Sequence, residues 1–392
     1  MNQLKMGWID FSKSQRDKVI GVINLLSDPG VIDELGAGVV RDKFADIFFP
    51  GTSTIQTRAK YFLIVPYLLY ELSREQIYDP KKMLSLLYER ELDLIEILKR
   101  DGTFGVIGAT SGRKLRRKPS EIYWSGLKAY NIFKGGNMSL NEYAKVDFQL
   151  RNTKEIVENH GVKGSDDPNA HFGDYIELWT MLKPENNWRE TLSMTLSLSE
   201  AEFLKQQIVS SYPESLFAFL LNKQDENFTL INKFEEISIY KETMSEQMQY
   251  DLNLAILFAD FLEGIHIRYN VILSQGDEDN VSMWNEWLMN DNNYSKINLG
   301  EILIRRLEIK NPRLIVFFDK CLAAIKEKKI TALDQIIINR EKDLKGRKRS
   351  KLCNIEEFQY SKWVGIARLD YRFRIGMILI RDIKEGLGEI IV

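Results

Sequence analysis

The sequence predicts a mainly α protein, a multi-helix globular fold with few short strands. Apolar residues recur at helical spacing through most of its longer segments. Sustained period-two alternation is confined to 237–240 and 389–392, and no internal repeat of solenoid length is visible. At 392 residues the chain is long enough for large cores. Its 44% hydrophobic and 28% charged residues exclude a collagen-like or disordered composition. A net charge of -2 conceals strong local asymmetry.

Taken in order, Phe11, Val19, Val22, Ile23 and Leu26 form a helical pattern over 8–26, with Ser12 as its cap. Pro29, Gly30, Gly36 and Gly38 then break the chain. The stretch 41–70, RDKFADIFFPGTSTIQTRAKYFLIVPYLLY, is the centre around which the other helices are expected to pack. Val40, Phe44, Ile47 and Phe48 give a first helix, which Pro50 and Gly51 end. Ser53 followed by Gln56 has the capping-box spacing, so a second helix is expected from Thr54, kinked or restarted at Pro66. The apolar run 61–70 is too short for a bilayer, which needs about 20 residues, and is read as core.

A charged amphipathic helix follows at 81–99. The glycines of 102–112 invite a phosphate-loop reading, but Gly108 to Lys114 has the wrong spacing and no Ser or Thr after the lysine. What remains is a basic cluster, Arg113, Lys114, Arg116, Arg117 and Lys118, feeding a helix with Tyr123, Trp124, Leu127, Tyr130 and Phe133. Five cations in six residues repel one another unless water or an anionic partner neutralises them.

The polar segment 160–171 leads into the second half, so two regions are expected, 1–190 and 191–392. Ser197 or Ser199 caps a helix that ends at Pro213, and short and long helices follow at 216–221 and 245–273. The Asp/Asn-rich stretch 276–295 reads as a loop, without the ligand order of a calcium site. Helices resume at Leu299, Leu314 and Thr331. A second basic cluster, Lys345, Arg347, Lys348, Arg349 and Lys351, then precedes Phe358, Tyr360, Trp363 and a last helix. In that helix Phe373, Met377 and Ile380 face inward.

Three kinds of site can be drawn from these residues. Thr52, Ser53, Thr54, Thr57 and Arg58 could hold a phosphate or carboxylate at the start of the expected helix. Equally, the hydroxyls could be plain caps and Arg58 could pair with Asp42 or Asp46. The two basic clusters suit nucleic-acid phosphates, with neighbouring aromatics for unpaired bases. Asp42 and Asp46, one turn apart, could with Arg58 and Lys60 serve a metal-dependent phosphodiester reaction, but the usual Glu-x-Lys partner is missing. His160, His171 and His266 lack a second ligand at helical spacing, and Cys321 and Cys353 make neither a disulfide framework nor a Cys-x-x-Cys pair. No metal or cofactor is therefore expected. With neither a signal peptide nor a spanning segment, the chain reads as cytosolic.

GWIDFS at 7–12, DELG at 33–36, residues 41–69 of the central stretch, PSEIYW at 119–124 and RLDYRF at 368–373 resemble a bacterial family catalogued as a domain of unknown function, number 6361. The resemblance implies no established activity and transfers no functional residue. It does imply bacterial defence gene neighbourhoods beside helicases and nucleases. The leading expectation is a non-enzymatic nucleic-acid-associated component of an antiphage defence assembly. The alternatives are a scaffold docking a helicase or nuclease subunit through Trp284, Trp287 and Trp363, and the metal-dependent enzyme.

Overall fold

Helix follows the apolar spacing along most of what the computed structural model describes, which is residues 33–75, 77, 79–100, 104–159, 178–224, 231–290 and 294–389, with backbone alone for 152–159. In order these are α1 (Gly38–Phe48), α2 (Tyr61–Ser73), α3 (Pro80–Leu98), α4 (Pro119–Ala129), α5 (Leu140–Asn159) and α6 (Leu198–Ser211). They continue with α7 (Leu216–Asn222), α8 (Glu246–Leu273), α9 (Glu278–Met289), α10 (Pro312–Lys326), α11 (Ile330–Lys345) and α12 (Phe373–Gly386). Among the described residues β-structure amounts to one bridge, Phe133 to Trp179. The helix expected over 8–26, the polar segment 160–171 and all but Glu389 of the strand expected at 389–392 lie outside the described residues.

Local caps explain most helix starts. Asp79 accepts from the Lys81 and Lys82 amides with Pro80 behind it, and Ser197 forms a full capping box with Glu200. Two expectations are corrected. The 237–240 strand is instead part of a 3-10 helix, Phe234–Thr243, because Phe234, Ile237 and Tyr240 are buried at the three-residue repeat of that helix. The stretch expected as a loop at 276–295 contains α9. Asp277 caps it, and Trp284 and Trp287, three apart, share its buried face.

The chain forms two compact units, each assembled from two separate stretches: Met1–Phe44 with Gln249–Leu369, and Ala45–Met248 with Asp370–Val392. Chain order suggests a single boundary near 190; this partition interleaves the sequence. In the first unit α10 packs on α11, and Phe258 and Phe261 of α8 meet Phe318 of α10. Trp287 lies against Gly264, where an added Cβ would come within 2.2 Å of the indole, and its Nε1 donates to the Asp260 carbonyl at 2.9 Å.

In the second unit α2 is buried on almost every side, and Pro66 neither ends nor restarts it. Packed against α2 are α3 and α4, while α12 packs on α6 and α7. Phe49, just past α1, meets Phe217 and Phe373, and a Cβ on Gly376 would fall 2.3 Å from its ring. Only glycine admits α12 at that distance.

Glu91 on α3 joins packing to protonation. It is 3% exposed, accepts the Ser120 amide at the start of α4, and has its other oxygen 3.0 Å from Ser120 Oγ. Burial, partly opposed by these bonds, pushes its carboxyl up to about 8 from an ordinary 4.5. The folded state therefore holds this proton more tightly than the unfolded chain. Its stabilisation is fully present below pH 4.5 and is lost as pH rises to about 8. Urea midpoints should fall across that window by an amount worth on the order of a few kcal/mol. Glu91→Gln should flatten the dependence, and an unchanged slope in that variant would assign it to other groups.

Candidate functional site

The central stretch does not build the helix start that its Ser53–Gln56 spacing predicts. Gln56 Oε1 accepts the Ser53 amide at 3.1 Å and its Nε2 donates to the Gly51 carbonyl at 3.2 Å, which closes a turn. The next donors are also taken. Tyr123 Oη accepts the Thr57 and Arg58 amides at 2.9 and 3.1 Å and donates to the Arg58 carbonyl at 2.8 Å. Burial pushes that phenol up to about 12, so it stays protonated. The Ala59 amide goes to Asp382 Oδ2 at 2.7 Å, and α2 begins only at Tyr61.

Around Arg58 the chemistry of an anion site is present, and its anion is internal. Arg58 Nε lies 2.9 and 3.0 Å from the two oxygens of Asp382, a carboxylate contributed by α12. Both side chains are nearly buried. Burial raises the Asp382 carboxyl, while Arg58 and the Ala59 amide pull it down. Thr52 Oγ1 donates to the Phe49 carbonyl at 2.6 Å, Thr57 Oγ1 donates to Gly105, and Thr54 is exposed. Ser53 Oγ has no partner among the described residues. Lys60 pairs with Glu200 at 2.6 Å, Asp42 with Arg41 and Asp46 with Arg372, so, with Arg58 on Asp382, each of the four charges invoked for the phosphodiester reaction has an ion-pair partner.

The same residues brace the loop that carries the first basic cluster. Thr57 Oγ1 donates to the Gly105 carbonyl at 2.6 Å, Arg58 Nη1 to the Phe104 carbonyl at 3.0 Å, and the Ile107 amide donates to Tyr61 Oη at 2.8 Å. Gly105 has a φ of +87°, a conformation glycine adopts without cost, and an added Cβ there would meet Arg58. This brace holds Phe104 80% exposed. Sequence reasoning missed Phe104. The adjacent glycines are its only signal, and their spacing raises only the question of a phosphate loop.

Within the cluster Arg113 pairs with Asp93 at 2.7 Å, and Lys118 donates to the Leu115 carbonyl and lies 6.0 Å from the Tyr88 ring centre. Lys114, Arg116 and Arg117 are exposed, with no acidic partner among the described residues. The expected stacking aromatics are not on the surface. Tyr123, Trp124, Tyr130 and Phe133 are all core residues.

The second cluster divides. Lys345 pairs with Glu34 and, at 3.2 Å, Glu341, while Lys351 pairs with Glu34 at 2.7 Å. Burial, reinforced by Lys351, pushes Lys345 down to about 8. Arg349 Nε donates to the Lys345 carbonyl at 2.9 Å, and the Arg347, Lys348 and Arg349 side chains are exposed. Phe358 and Trp363 are half-buried, and Tyr360 Oη bridges Asn270 and Asn280 at 3.2 Å each. Trp284 and Trp287, proposed as docking anchors, are buried and stacked 5.3 Å apart. His266 is buried, with Nδ1 on the Leu262 carbonyl, and burial lowers its pKa. No helix of the described residues is long and apolar enough to cross a membrane.

The described residues thus define a mainly helical protein with a braced, basic loop that exposes an aromatic ring. The chain belongs to DUF6361, a family of unknown function whose model matches residues 3–286. That match takes in the central stretch and the first basic cluster and stops short of the second cluster and of RLDYRF. No curated protein and no solved structure matches the chain.

Proposed function

We propose that the protein is a non-catalytic nucleic-acid-binding component of a bacterial defence assembly, working beside helicase or nuclease subunits and binding unpaired strands through the 104–118 loop. The observation that carries this reading is one loop, fixed by Thr57, Arg58 and Tyr61, that exposes both an aromatic ring and three cations with no acidic partner among the described residues. Phe104 supplies a face on which a base can stack, and Lys114, Arg116 and Arg117 neutralise phosphates of the same strand. Pre-ordering the loop lowers the entropy lost on binding. The defence context rests on the family resemblance alone.

Anisotropy titrations with labelled single-stranded DNA, single-stranded RNA and duplex DNA, at about 50 and about 200 mM salt, test it. Single strands should bind more tightly than duplex. Lys114/Arg116/Arg117→Ala should weaken binding about 10- to 100-fold and reduce the salt slope by roughly 2, about 0.7 for each phosphate no longer neutralised. Phe104→Ala should cost about 1–3 kcal/mol with the slope unchanged. Equal, weak binding by wild type and the triple variant would overturn the proposal, as would loss of binding only in Arg347/Lys348/Arg349→Ala.

A further inference from the structure

The second unit also contains a cavity of about 530 Å³ between α2, the irregular segment 182–197 and the start of α6, within the size range of small-ligand sites. Tyr67 and Trp188 form one wall, edge to face at 5.4 Å, with Leu192 beside them. The Lys60–Glu200 pair forms another.

Tyr67 is the telling residue. It is 6% exposed, and its hydroxyl has no hydrogen-bond partner among the described residues. Burial first, and then the charges of Glu200 and Glu185, which also line the cavity, raise the pKa of that hydroxyl and keep it protonated. An O–H donor therefore lines the cavity without an acceptor among the described residues, open to one that a ligand brings. Lys60 adds a second donor. Its ammonium has three N–H groups, of which Glu200 at 2.6 Å and the Thr195 carbonyl at 3.3 Å take two.

Charge then limits the ligand. Lys60 and Lys183 are matched by Glu185 and Glu200, so the lining is neutral overall and a phosphate would face two carboxylates. An uncharged molecule fits. It needs a flat apolar ring for the Tyr67–Trp188 wall, acceptors for Tyr67 and Lys60, and hydroxyls that can donate to Glu185.

We infer that this cavity binds an uncharged nucleoside, its base against Tyr67 and Trp188 and its ribose hydroxyls toward Glu185. The site shares no residue with the 104–118 loop, so the two proposals stand or fall separately.

Saturation-transfer NMR and calorimetry on the full chain test it with adenosine, guanosine, cytidine, uridine, their 5′-monophosphates and a neutral disaccharide. At least one nucleoside should bind saturably and more tightly than its monophosphate. Tyr67→Phe should weaken that binding about 5- to 10-fold, the effect of one lost hydrogen bond. Because this change deletes only an unpartnered hydroxyl, the variant should melt no lower than wild type. The inference fails if no nucleoside saturates, if the disaccharide alone binds, or if Tyr67→Phe binds the nucleoside as well as wild type does.

Discussion

Asp382→Ala is expected to destabilise the second unit by about 3–5 kcal/mol, the usual result of removing one member of a buried ion pair. The carboxylate accepts from Arg58 Nε and from the Ala59 amide at 2.7 Å, so its loss strands a nearly buried guanidinium and a buried N–H together. Asp382→Asn keeps an acceptor for Ala59 and should cost less. Because Arg58 also holds the Phe104 carbonyl, hydrogen exchange at residues 104–108 should quicken in the alanine variant before the unit unfolds. Urea denaturation followed by exchange would show both effects. A loss below about 0.5 kcal/mol would mean that Arg58 and Ala59 find other partners at little cost.

Glu341→Ala should have a comparable effect, about 3–5 kcal/mol, in the first unit. Glu341 is fully buried and accepts from Tyr269 Oη at 2.9 Å, Ser350 Oγ at 2.7 Å, the Lys351 and Leu352 amides, and Lys345. The 346–352 turn is wound around this one carboxylate. Without it, Tyr269 and two backbone amides lose their acceptor and Lys345 keeps only Glu34. The variant should become sensitive to trypsin at Arg347, Lys348 and Arg349 under conditions in which wild type resists. Cleavage at equal rates in the two proteins would show that the turn is held by something else.

Where a partner lies close in sequence, the fold is legible. The Ser197–Glu200 box and the Asp79–Pro80 start are satisfied within three or four residues, and the helices predicted there appear. At Ser53–Gln56 the same spacing misleads, because the following amides belong to Tyr123 and Asp382, 65 and 323 residues away. The basic clusters are visible as composition. Which lysines turn inward is not, since Lys351 meets Glu34 across 317 residues. Alternation at 237–240 suggests a strand only until the three-residue spacing of Phe234, Ile237 and Tyr240 is counted. Phe104 could not be found by periodicity, because what exposes it is the brace from Thr57, Arg58 and Tyr61.

The interleaving of the two units sets an order of events during synthesis. Residues 370–392 leave the ribosome after 249–369, so the second unit waits for α12 while the intervening residues are made, on the order of ten seconds at ordinary elongation rates. Throughout that interval Arg58 and the Ala59 amide lack Asp382, the Lys223 carbonyl lacks Lys384, and the ring of Phe49 lacks the α12 face at Gly376. The nascent second unit therefore exposes an uncompensated cation and an open aromatic surface while the first unit is still being translated. Slow codons within 249–369 would lengthen the period in which that surface needs a chaperone.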